Sequence, residues 1–182
     1  MSPLFCPKEQ QKAVTDIVEH LNETLTETPL KGIELLKPND RTTTLPLFFV
    51  RKDKLPNKAG EQGASGDVVK HLTKQKSVYF AYARWGANKF ELRNGFIVIS
   101  SDADDAKKMK HSLLAAIAYE LGLMNYSSLQ AGSIFYRDGA KRNDAKKLTT
   151  KDKQLISWYY NHVPAGSDSI KKPFADHWPK DK

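Results

Sequence analysis

The stretch Leu113-Leu114-Ala115-Ala116-Ile117-Ala118-Tyr119-Glu120-Leu121-Gly122-Leu123, set in a longer run from Ser101 to Phe135, decides how this chain is read. Met109, Leu113, Ile117 and Leu121 recur every four residues, which puts them in one apolar stripe along a helix. The helix is expected over 102–123. Ser101 and Asp102 can cap its start, and Asp104 and Asp105 put negative charge in the first turn, where the helix dipole favours it. Gly122 stands where a helix stops on a left-handed residue. Asn125 and a polar loop follow, and then the apolar run Ser133-Ile134-Phe135-Tyr136, expected to lie beneath the helix.

The other side of that helix carries a spacing with chemical meaning. Ala115, Tyr119, Gly122 and Asn125 fall at relative positions 0, +4, +7 and +10. That is the frame H-E-x-x-H-x-x-G-x-x-H, in which two histidines one helical turn apart and a third after a glycine turn ligate one zinc ion. Here the three ligand positions read Ala115, Tyr119 and Asn125, and the general-base position reads Ala116. Neither alanine can bind a metal or move a proton. The frame is present without its chemistry.

Length and composition bound the alternatives. At 182 residues the chain is most simply one domain, 1–182, long enough for a full core without staples. Its 40% hydrophobic and 27% charged residues place it with ordinary globular proteins. No run approaches the roughly 20 apolar residues that span a bilayer. Met1 to Pro7 has neither the basic region nor the apolar stretch of a signal peptide. The chain therefore reads as cytoplasmic as written, or as periplasmic or envelope-associated if an export signal has been trimmed. Cys6 is the single cysteine, which excludes an internal disulfide and a cysteine-based zinc site. A net charge of +8 suits an acidic partner, but the lysines are scattered, with clusters only at 107–110, 141–147 and 171–172. There is no Arg-rich helix, zinc finger or glycine-rich phosphate loop.

Taken in order, residues 8–27 read as an amphipathic helix with Val14, Ile17, Val18, Leu21 and Leu25 on one face, broken by Pro29. His20 lies beside that stripe. Residues 32–36 read as a strand or a helical turn, and 42–52 as a strand that Pro46 places near an edge. Residues 54–66, with three Gly and one Pro, read as an exposed loop, and 67–74 as a short helix bearing His71. A three-stranded meander is expected next: 77–85, 89–93 and 96–100, with a turn at 86–88 and a type I′ hairpin at Asn94-Gly95. Residues 139–147 read as a basic loop. Thr149 can cap the last helix with Asp152 in a capping box, and Leu155, Ile156, Tyr159 and Tyr160 supply its apolar face, ended by Pro164. A polar tail, 164–182, contains Phe174 and Trp178.

This order of elements resembles a zincin, and its C-terminal half is similar to the metzincins, the matrixins in particular. Ala115 to Leu123 sits over that family's H-E-x-x-H-x-L-G-L. Ile134-Phe135-Tyr136 is placed like its Met-turn, with Phe135 for the methionine under the metal, and Leu148, Asp152, Ile156 and Tyr160 follow its last helix. The chain is more similar still to an uncharacterised family of lipoprotein-like proteobacterial envelope proteins with an altered metallopeptidase motif. Leu121-Gly122-Leu123, Ser133-Ile134-Phe135 and Leu148 to Asp152 match three of its features; that family often has acidic and Gln residues where this chain has Ala115, Ala116 and Tyr119. The resemblance spans roughly 40–163 by order and is motif-specific from about 113 to 160. It implies an α+β, zincin-like fold: a small mixed sheet packed on a long central helix plus a C-terminal helix.

Three functional readings follow. In the first, the domain is a metal-free, non-catalytic pseudoenzyme that binds protein, peptide or cell-wall material in a degenerate cleft of Ala115, Ala116, Tyr119, Asn125 and His111, without a cofactor. The bland alternative is that Ala115 and Ala118 merely allow close helix packing and Tyr119 is a core aromatic. In the second, a hydrolase uses displaced ligands drawn from His111, Glu120, His162 and His177. Glu120, however, lies roughly 180° round the helix from His111 at about 100° per residue. In the third, Lys107, Lys108, Lys110, Lys141, Arg142, Lys146 and Lys147 form one basic face for nucleic acid or another anionic polymer, provided the loop folds back on the helix. Ser133 lacks a nucleophile setting, and Cys6 sits in the terminus.

Overall fold

The computed structural model describes residues 8–30, 32–35, 45–85, 92–102, 106–123, 130–138, 141–142 and 145–163. In chain order the elements are α1 (Lys8–Leu25), β1 (Leu47–Val50), α2 (Leu55–Glu61), α3 (Gly66–Gln75), β2 (Tyr79–Trp85), β3 (Leu92–Ser100), α4 (Ala106–Glu120), the two-residue strands β4 (Arg137–Asp138) and β5 (Lys141–Arg142), and α5 (Thr150–His162). The class is mixed α+β, with five helices and a small mixed sheet among the described residues.

The sheet is ordered β1-β3-β2, with β3 parallel to β1 and antiparallel to β2. Phe96-Ile97-Val98-Ile99 is buried throughout, as a strand covered on both faces must be. The alternation then sorts the side chains. Ile97 and Ile99, with Phe49, join α1, α4, α5, Ile134, Phe135 and Leu148 in one core. Phe96 and Val98, with Phe48, join Leu55, Ala59 and Leu72 from α2 and α3 in a second core on the opposite face.

Helix α1 forms as its stripe requires: Ala13, Ile17, Val18, Leu21 and Leu25 are all buried. It meets α5 through His20, whose Nε2 accepts the Leu148 N–H at 3.0 Å, and Lys153 reaches Glu23 at 2.8 Å. Lys110 of α4 reaches Asp16 at 3.2 Å, and bonds from Lys12 and Lys110 hold the Asp16 carboxyl below its usual range. Exposed ion pairs of this kind add little, whereas each buried Ile or Leu is worth roughly 1.5–3 kcal/mol. The apolar stripe holds α1 in place. After it, the Asn22 amide brackets the Ile33 backbone, donating to its carbonyl at 2.9 Å and accepting its N–H at 2.7 Å. Residues 32–35 are consequently neither strand nor helix.

Several expectations change. Residues 54–66 are not a loop: Pro56 sits in the first turn of α2, and Leu55 and Ala59, one turn apart, are wholly buried on the second face. Gly63, at φ +103°, then turns the chain towards Ser65, whose Oγ accepts the Val68 N–H at 3.4 Å as the N-cap of α3. Of the strand expected over 42–52, Leu47–Val50 is strand, at an edge of the sheet among the described residues, while 42–44 lie outside them. Asn94-Gly95 is not a hairpin turn. Both residues lie inside β3, paired with Arg84 and Ala83, so the meander has two strands rather than three. The expected turn at 86–88 lies outside the described residues. Helix α4 is described from Ala106, and Asp102 lies before it with its carboxylate accepting the Lys52 N–H at 3.1 Å; 103–105, including Asp104 and Asp105, lie outside the described residues. The basic loop 139–147 contains a short antiparallel ladder, Arg137 opposite Arg142 and Asp138 opposite Lys141. Among the described residues no helix is long and apolar enough to cross a membrane.

Candidate functional site: the end of helix α4

Helix α4 ends as Leu121-Gly122-Leu123 demands. Gly122 takes φ +85°, its N–H bonds the Tyr119 carbonyl at 2.9 Å, and the Leu123 N–H bonds the Ala118 carbonyl at 3.0 Å. This paired closure is the Schellman motif. The Leu121 carbonyl, left over at the helix end, accepts the Tyr160 hydroxyl of α5 at 2.5 Å. Burial, and secondarily Tyr159, holds that phenol well above its ordinary range, so it stays a donor.

The next segment is fastened by one carboxylate. Asp152, buried at 2% exposure, accepts the Ser133 hydroxyl, the Ile134 N–H at 3.3 Å and the Thr149 N–H at 2.9 Å. Thr149 Oγ1 accepts the Asp152 N–H at 3.1 Å, completing the expected capping box. Ser133 Oγ in turn accepts the Phe135 N–H at 3.0 Å. These bonds drive Ile134 and Phe135 under α4.

The result is a shallow crevice lined by Ala115, Ala118, Tyr119, Leu123, Ile134 and Phe135, of about 10 Å³. That is room for about one water. Two positions singled out by spacing, Ala115 and Tyr119, thus meet Phe135, which the resemblance singled out, at one place. Ala116, the general-base position, does not join them; it is wholly buried in the core. His111 lies one turn earlier, its Nδ1 2.9 Å from the Ala145 carbonyl, which accepts only and so fixes the proton on Nδ1. His162 is exposed at the end of α5, its ring 6.0 Å from that of Trp158. Asn125 and His177 lie outside the described residues. Among the described residues no three His, Cys, Asp or Glu side chains gather to hold a metal ion.

One residue of the stretch takes a place that spacing did not indicate. Glu120 is wholly buried, and neither carboxyl oxygen has a hydrogen-bond partner. It turns towards β3, where a Cβ on Gly95 would overlap its carboxyl and lie 2.6 Å from the Tyr82 carbonyl oxygen. Gly95 is therefore required by close approach, not by a turn. Burial pushes the Glu120 carboxyl up to about 8; the Tyr82 backbone opposes the rise without closing a hydrogen bond. The acid is consequently neutral over most of the physiological range. The signal in the sequence was slight: Gly95 follows Arg93-Asn94 and directly precedes the apolar run Phe96 to Ile99.

Comparison of the chain with protein-family models, with curated proteins and with solved structures finds no match.

Proposed function

We propose that this chain is a non-catalytic binding protein of zincin-like design, acting in the bacterial envelope, that holds an extended acidic peptide along β2 beside the crevice at the end of α4. The observation that carries the reading is the convergence of Ala115, Tyr119 and Phe135 on one crevice behind the left-handed Gly122, with no imidazole or carboxylate among the described residues that line it. A zinc frame has that arrangement, and here methyl groups and aromatic rings fill it.

Strand β2 supports the choice of ligand. Among the described residues it is an outer strand of the sheet, and Phe80-Ala81-Tyr82-Ala83 contain none of the Lys or Pro residues that blunt exposed edges. An extended peptide adds to such an edge through main-chain bonds. The tip of α4 lies beside it, since Glu120 approaches Gly95 and Tyr82. A net charge of +8 favours an acidic sequence.

The test has two arms on the untagged protein: metal analysis with calorimetric zinc titration, and selection from a displayed random-peptide library. The reading expects no stoichiometric zinc, no stabilisation by zinc, and selected peptides that are acidic and protect β2 amides from hydrogen exchange. One tightly held zinc, or cleavage of the selected peptides, overturns it.

The third sequence reading, an electrostatic module, has one observation in its favour. The bond from His111 to Ala145 folds the 145–147 segment back on α4, leaving Lys146 and Lys147 exposed beside it. Binding of polyphosphate that weakens steeply with added salt, at residues 107–110 and 141–147, would favour it over the peptide edge.

A further inference from the structure

A second hollow lies at the other end of the sheet, outside the carboxyl ends of the parallel strands β1 and β3. In open sheets flanked by helices, that is where ligands settle, because strand ends and the loops beyond them leave a crevice with unpaired backbone and converging side chains. The hollow measures about 710 Å³, within the range of small-molecule sites. Pro56 and Leu72 give it an apolar floor.

Its walls bring cations from two places: the consecutive Arg51 and Lys52 just beyond β1, and Lys76 at the end of α3. Two acids also line it among the described residues. Asp53 lies 2.9 Å from Arg51 and 3.6 Å from Lys54, and the Asp102 carboxylate accepts the Lys52 N–H. The Ser77 hydroxyl stands beside Lys76 on the same wall.

Lys76 is the telling residue. It closes α3 in the left-handed conformation at φ +48°, and is the one non-glycine with positive φ among the described residues. Glycine occupies that position of a helix at far lower cost. A strained backbone is retained where its side chain serves something else. Here that side chain lines the hollow.

We propose that this hollow binds a small phosphate monoester, with the phosphate among Arg51, Lys52, Lys76 and Ser77 and the organic body on Leu72 and Pro56. A phosphate monoester offers several anionic oxygens to cations on two walls and to a hydroxyl donor. The site is independent of the peptide reading, since it lies by Ser100 and Asp102 while the crevice lies by Gly95.

The test is an amide NMR titration of the full chain with phenyl phosphate, with inorganic phosphate and phenol as controls. Saturable shifts at Thr73, Lys76, Ser77 and Asp102 are expected with phenyl phosphate, weaker ones with inorganic phosphate, and none with phenol. Arg51→Ala and Lys76→Gly should each weaken binding about tenfold or more. Lys76→Gly should also unfold at a higher urea concentration, because the left-handed strain is relieved, which separates lost binding from lost folding. Absence of saturable shifts, equal shifts with phenol, or unchanged affinity in Lys76→Gly overturns the proposal. Co-sedimentation with vesicles containing phosphatidic acid, lost in Lys76→Gly, would identify the monoester as a lipid headgroup. Retention in the supernatant, with phenyl phosphate bound, would identify a soluble ester.

Discussion

Replacing Glu120 by Gln isolates the cost of burying an acid without a partner. The ordinary glutamate value is 4.5, and burial pushes this carboxyl up to about 8. Below the ordinary value both the folded and the unfolded chain hold the proton, so the group carries no penalty. As pH rises, the unfolded chain ionises first while the folded chain keeps its proton. The unfolded state then binds fewer protons, and stability falls until the folded-state value near 8, where it levels off. At about 1.4 kcal/mol for each tenfold change in proton affinity, the loss across that window is on the order of 5 kcal/mol. A domain of this kind has roughly 5–15 kcal/mol in total, so the effect is large. Opening of the end of α4 to admit water would cap the loss at the free energy of that opening. The Gln variant has the same shape and no ionisation, though its amide is also buried without a designated partner, at a cost of roughly 1–3 kcal/mol. Urea unfolding followed by tryptophan fluorescence from about pH 5 to about pH 8.5 should therefore show the wild type losing stability as pH rises while Glu120→Gln stays level across the same window. If the two proteins keep a constant difference across the window, the carboxylate is already ionised in the fold, and the account of Gly95 and Glu120 given above is wrong.

Other substitutions test the supports of the site. Gly95→Ala should cost more than about 3 kcal/mol in urea unfolding. Adding Glu120→Ala should recover part of that but not all, because the Tyr82 carbonyl oxygen still lies 2.6 Å from the new methyl; full additivity in this double-mutant cycle would count against the close approach. Asp152→Ala removes three acceptor contacts and should destabilise by roughly 3 kcal/mol or more, against about 1 for Thr149→Ala, by the same assay. Tyr160→Phe leaves the Leu121 carbonyl without its hydroxyl and should cost about 1–2 kcal/mol, with faster exchange of the Gly122 and Leu123 amides.

The parts of the fold visible in the amino-acid sequence are those decided within one element. The stripe of α1, the stripe and glycine stop of α4, and the capping box of Thr149 and Asp152 depend on residues three or four apart, and all three stand as expected. The parts that were not visible depend on distant partners. The stretch Leu55-Pro56-Asn57-Lys58-Ala59-Gly60 has the composition of a loop and becomes a helix because Leu55 and Ala59 find the outer face of the sheet. Asn94-Gly95 has ideal turn chemistry, yet pairing with β2 and burial of Phe96 to Ile99 on both faces keep it extended. The site divides in the same way. Spacing alone put Ala115 and Tyr119 side by side, and the order of elements put Phe135 beneath them. Ala116 could not be assigned by spacing, because which flank of a helix meets the core is set by what packs there. Glu120 read as an ordinary charge next to an apolar stripe, and the hollow beyond β1 and β3 draws on residues near 51, 76 and 102 that no local pattern connects.

The docking of α1 against the last helix has a consequence for biosynthesis. Its partners, His20 with Leu148 and Glu23 with Lys153, are separated by 128 and 130 positions. Translation at about 5–20 residues per second takes several seconds to cover that distance. For most of that interval Ile17, Val18, Leu21 and Leu25 have no α4 to cover them, and α5 is made only after it. An apolar stripe made this far ahead of its partners makes the growing polypeptide a natural client for chaperones that shield apolar helices until α5 has been synthesised.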